Sequence, residues 1–219
     1  MMAAMSGTRA RSMALHRGEV ERRIVSAARI SLSGGGAPDQ RLITDVCAAV
    51  GIHPHALRQI FPTDDDLFEA VHASLVEECA ARLRAGVDEF VPDSDETRYA
   101  DAARALAEAW PIERGGMTMR ADRRARALAE RVDGAAFLAS ERRFVQALLG
   151  ILDDLIAKLG RRFAPSDALA VRIILDTFER SFEAWILEGH PDSRFAESPY
   201  IRRTLPTLLE QLSVPAAAA

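Results

Sequence analysis

Apolar residues recur along this chain at the three- and four-residue spacings that share one face of a helix, and no segment alternates as a half-buried strand must. The pattern predicts an all-α protein of about nine helices. Val20, Ile24, Ala27, Ala28 and Ser31 mark a first helix over about residues 19–32, ended by Ser33-Gly34-Gly35-Gly36-Ala37-Pro38. Ile43, Val46, Cys47 and Val50 form the stripe of a second, with Asp39 the nearest N-cap. Gly51 follows, where a left-handed residue lets the chain turn sharply. Pro54 suits the first position of a third helix, because the N–H it lacks would be unpaired there. Leu57, Ile60 and Phe61 give that helix a short stripe, and Pro62 stops it. Two short helices joined by a glycine turn make a helix-turn-helix.

Thr63 caps a fourth helix while Asp66 reaches back from its third position, and the three carboxylates Asp64, Asp65 and Asp66 complement the helix dipole. Leu67, Val71, Leu75, Cys79 and Leu83 carry this helix to about Phe90. Beyond Pro92, stripes predict helices around Tyr99 to Trp110, over 118–132, over 135–159, from Pro165-Ser166-Asp167 to Gly189, and over 201–212 despite Pro206. The domain reading is a flexible arm over 1–18, a three-helix head over 19–66, a larger helical domain over 67–213 for ligand binding and dimerisation, and a disordered tail over 214–219.

Charge sharpens this division. The net charge is -4, yet up to Pro62 there are eight arginines against the four acids Glu19, Glu21, Asp39 and Asp45, so a polyanion would prefer the N-terminal end. Cys47 and Cys79 fall on apolar stripes and read as buried small hydrophobes in a reduced, cytoplasmic setting. No run approaches the roughly 18 apolar residues that span a bilayer, so no membrane partner is expected.

Catalytic chemistry finds little support. Gly34-Gly35-Gly36 lacks the Gly-Lys-Ser/Thr of a phosphate loop, and Asp153-Asp154 reads as an exposed helix face. His53 and His55 lack Cys or acid partners for zinc, and His72 and His190 stand alone. No metal, cofactor or enzyme activity is expected.

Three segments carry a family resemblance: Ile24-Val25-Ser26-Ala27-Ala28, Asp45-Val46-Cys47-Ala48-Ala49-Val50-Gly51-Ile52, and Leu57 with Phe61-Pro62 before Leu67. Their spacing resembles, without insertion, the DNA-binding head of the TetR family of bacterial repressors. This chain departs from the family pattern at His53, Pro54, His55, Ala56 and Arg58 along the turn and third helix. It departs again at Asp64, where a lysine is common, and at Leu42, where a capping Thr is usual. The resemblance implies that the third helix enters the major groove, and that the heads of a dimer read a pseudo-palindrome with half-sites about 34–36 Å apart or a multiple of that.

With Leu57, Ile60 and Phe61 turned inward, His53, His55, Arg58 and Gln59 face out. Arg58 and Gln59 are the candidate base readers, since Arg and Gln can bond guanine and adenine edges in pairs. Arg41 and Thr44, with Arg9, Arg11 and Arg17 of the arm, are candidate phosphate contacts. Leu106, Trp110, Met117, Met119, Phe137 and Phe144 are candidate walls of a pocket for a small apolar effector. Phe178, Phe182 and Trp185, with Ile201, Leu205 and Leu209, are the candidate homodimer face; burial within the chain is the alternative. The expected function is a ligand-responsive regulator, most simply a repressor, binding an operator in double-stranded DNA. The rival reading is a dimeric interaction protein whose head no longer binds DNA.

Overall fold

The computed structural model describes residues 2–33, 40–110, 117, 120–121, 124–125, 128, 134–164 and 166–216, and the side chains of all of these but 2–16, 33, 40, 134–138 and 140. Its helices are α1 (Met2–Ser33), α2 (Gln40–Val50), α3 (Pro54–Ile60), α4 (Asp64–Glu89), α5 (Arg98–Ala109), α6 (Gly134–Lys158), α7 (Asp167–Leu187) and α8 (Leu205–Gln211). Met117, Arg120, Ala121, Arg124, Ala125 and Leu128 are also helical; the rest of the helix expected over 118–132 lies outside the described residues. The all-α expectation holds.

Two compact units result: Met1–Leu75 with Glu113–Arg123, and Val76–Ile112 with Arg124–Ala219. The division falls within α4 rather than at residue 66, where the sequence reading placed it. In the first unit α1, α2, α3 and the start of α4 bury Ile24, Ala28, Leu42, Val46, Leu57, Phe61, Leu67 and Val71. Leu42, a departure from the family pattern, is therefore a core anchor. The arm expected over 1–18 is instead helical from Met2. It contains no proline, and its Ala, Met and Arg residues favour helix even without an apolar stripe to reveal one.

The second unit is built on aromatic packing. Trp110, after α5, stacks on Phe178 of α7 with ring centroids 4.3 Å apart, and Phe178 meets Phe195 and Tyr200 edge-on at 5.3 and 5.8 Å. Phe182 meets Phe195 at 5.1 Å. Phe178, Phe182, Ile201, Leu205 and Leu209 are each at most 2 % exposed, consumed by the unit's own core. This burial within the chain is the alternative weighed against a dimer face for these residues, and side chains already sealed from water offer a second copy no further apolar burial. Trp185 is half-buried, with its indole N–H donating to the Pro191 carbonyl and His190 stacked on it at 4.0 Å.

The last helix also differs from the single run expected over 201–212. Residues Tyr200–Thr204 form a wide π turn and α8 starts at Leu205, placing Pro206 in a first turn where its missing N–H costs nothing. Two short strands, β1 (Arg161–Phe163) and β2 (Ser213–Pro215), pair antiparallel with Phe163 opposite Ser213. Of the tail expected to be disordered over 214–219, Val214 and Pro215 belong to β2, and 217–219 lie outside the described residues. Lys158 Nζ donates to the carbonyls of Asp88 and Phe90 at 2.7 and 3.2 Å, and Arg84 pairs with Asp154, fastening the end of α4 to α6.

Candidate nucleic-acid interface

Local chemistry sets the path from α2 to α4. Gly51 takes φ +73°, the left-handed conformation the sequence called for, and its N–H and that of Ile52 both donate to the Cys47 carbonyl at 3.0 Å. His53 caps α3, its Nδ1 accepting the His55 N–H at 3.2 Å, and Pro54 fills the first helical position. At α4 the Thr63 hydroxyl accepts the Asp66 N–H at 3.1 Å while Asp66 Oδ2 accepts the Thr63 N–H at 2.9 Å. This is the reciprocal capping box expected there. The Thr63 hydroxyl and N–H hold the Asp66 carboxyl below its ordinary range.

Helix α3 separates its faces sharply. Leu57 is fully buried and Phe61 nearly so, whereas His53, His55 and Gln59 are exposed. His55 and Gln59, one turn apart, bring their Nε2 atoms within 3.3 Å. On α2, Arg41 and Thr44 are exposed.

Arg58 is placed differently from its neighbours. Its Nη2 donates to Asp64 Oδ1 at 2.6 Å, with the side chains 36 % and 40 % exposed, and its Nη1 is buried without a hydrogen-bond partner. Burial pushes the Cys47 thiol up, and the nearby Arg58 guanidinium partly opposes that. The expected free base reader is thus half-buried and ion-paired. Read from its position alone Asp64 belongs to the capping turn of α4, and the only signal of this pairing is opposite charge across the Pro62 turn.

Helix α1 braces this motif. Arg23 Nη2 donates to the Val50 carbonyl at 3.2 Å and Arg17 Nη2 to the Gln59 carbonyl at 3.3 Å, satisfying acceptors at the ends of α2 and α3. Arg17, expected on phosphate, therefore has a structural bond. The side chains of Arg9 and Arg11 lie outside the described residues.

Among the candidate pocket residues, Leu106, Trp110 and Phe144 are buried in the second unit and Met117 is half-buried in the first. Met119 and the Phe137 side chain lie outside the described residues. Among the described residues no group of three or more His, Cys, Asp or Glu is placed to hold a metal, and no helix is long and apolar enough to cross a membrane.

No protein-family model and no curated protein matches the sequence. Solved structures do. A protein from Mesorhizobium loti assigned to the TetR family of transcriptional regulators is similar over 90% of this chain and 96% of its own, with TM-score 0.58 and 14% identity. The multidrug binding protein EbrR, solved with imidazole, is similar over 90% of this chain and 97% of its own, at TM-score 0.59 and 21% identity. GusR of Salmonella enterica is similar over 89% and 95%, at TM-score 0.56 and 18% identity. Together with the α2-turn-α3 geometry, these similarities show that the chain has the fold of the TetR-family transcriptional regulators.

Proposed function

We propose that this protein is a DNA-binding transcription regulator, most simply a repressor, whose α3 reads a pseudo-palindromic operator from a homodimer. The observation carrying this reading is the split of α3, which seats Leu57 in the core while leaving His53, His55 and Gln59 open to a groove. Arg41 and Thr44 are the phosphate contacts at the start of α2. Leu106, Trp110 and Phe144 are the apolar residues through which the second unit takes a small effector. EbrR, solved with imidazole and proflavin, and a Saccharomonospora viridis regulator solved with choline support an effector of that size. Binding would shift the protein between two states of unequal DNA affinity. A homodimer must use what core packing leaves outside, and on α7 the large apolar members are Leu169 and Leu187.

Selection from a pool of random-sequence duplexes, followed by titration at several salt concentrations, tests the reading. A recovered palindrome with steeply salt-dependent affinity is expected. Gln59→Ala should then cost about 1–3 kcal/mol and relax one base position. A second reading, an interaction protein with a head that has lost DNA, is favoured by the sequestered Arg58. It gains the field if no duplex is enriched.

A further inference from the structure

The Arg58–Asp64 pair bears directly on how the proposed head meets DNA. Arg58 is the strongest base-reading side chain on α3 by chemistry, since its guanidinium can give two parallel hydrogen bonds to a guanine edge. Here that fork is split: Nη2 is held on Asp64 Oδ1 at 2.6 Å, and Nη1 is turned into the protein without a partner. Asp64 stands in the first turn of α4, and its negative charge would itself be repelled by a phosphate backbone. Both groups remain more than one third exposed, so the pair is weak enough to exchange. The unpartnered Nη1 favours exchange as well, because swinging outward would satisfy it.

We propose that Asp64 competes with the DNA duplex for Arg58, acting as a built-in brake that sequence-specific binding must release. The inference rests on the DNA-binding reading. In the free protein Arg58 stays on Asp64, and only a duplex presenting a paired acceptor in register draws it away. Asp64 therefore lowers affinity twice, through its own repulsion and through the arginine it withholds.

A double-mutant cycle on the selected duplex separates these two effects. Asp64→Asn should tighten binding about tenfold or more, since both a repulsion and a competitor are removed. In an Arg58→Ala background the gain should shrink to the small factor owed to charge alone. The exposed Asp45→Asn on α2 provides that charge reference, and should give the same factor in both backgrounds. Circular-dichroism melting verifies that each variant is folded, and Asp64→Ser repeats the test should the amide disturb the start of α4. Equal gains from Asp64→Asn with and without Arg58 overturn the competition while leaving DNA binding intact. If neither the wild type nor any Asp64 variant enriches a duplex, the DNA-binding reading falls and the brake with it. Where the wild type is silent and Asp64→Asn binds, the same cycle is run on the duplex that variant selects: loss of the gain in the Arg58→Ala background supports the competition, and its retention overturns it.

Discussion

Gly86 of α4 faces Ala109 of α5 so closely that a β-carbon on Gly86 would stand 2.6 Å from the Ala109 Cβ. The glycine is thus a packing residue, and its helical conformation needs no special freedom. Gly86→Ala should destabilise the second unit by about 1–3 kcal/mol through overpacking, although alanine is the better helix former. Chemical denaturation measures it, and a neutral or stabilising result would show that α4 and α5 can part without cost.

Gly51 makes the opposite case. Nothing lies within 4 Å of a β-carbon placed there, but its φ is +73°. Gly51→Ala should cost about 1–2 kcal/mol from backbone strain alone. Gly51→Asn should recover part of the loss, since Asn tolerates the left-handed region. Melting curves of the two variants give the comparison.

Leu57 is fully buried beneath α3. Leu57→Ala should cost on the order of 2–5 kcal/mol. A much smaller loss in denaturant titration would mean that α3 is not docked on the core.

The capping box at Thr63 and Asp66 gives a stability contribution with a defined pH window. Its hydrogen bonds hold Asp66 below its ordinary range, so the charged form is favoured in the folded state. The stabilisation is therefore present above the unfolded carboxyl range, near about 4, and fades as the pH falls through the folded value. Thr63→Ala should cost about 1 kcal/mol at neutral pH and less in acid. Stability profiles of the two proteins that stay parallel down to strong acid would refute this.

At the other end of the scale, burial pushes the Tyr200 phenol up to about 12, partly offset by its 2.9 Å hydrogen bond with the Thr177 hydroxyl. A raised value favours the neutral form in the fold. Stability from this group is complete below the ordinary tyrosine range and is lost as pH rises toward about 12. Ultraviolet titration should show a late phenolate step that Tyr200→Phe removes.

The elements readable from the sequence are those whose cause is local. Gly51, Pro54 and the Thr63–Asp66 box each act within a few residues, and each stands as the sequence reading placed it. The stripes of α2 and α7 were also plain, but a stripe says that a face is covered, not by what. The stripe of Phe178 and Phe182 fits a second copy or burial within the chain equally well, and Phe195 and Tyr200, in an irregular stretch with no periodicity, cover them within this chain. The β1–β2 ribbon escaped because strands of three residues are too short to alternate detectably. At the candidate site, the outward set His53, His55 and Gln59 was legible. The fate of Arg58 was decided by a partner across a turn.

Because Arg17 and Arg23 reach from one helix to the terminal carbonyls of two others, the angle between α2 and α3 is gauged by α1 as well as by the turn joining them. Grafting residues 40–61 onto a foreign scaffold would transfer the alphabet without the ruler. Any chimera that carries this α2-turn-α3 unit should keep Arg17 and Arg23, or the angle between its two helices will drift.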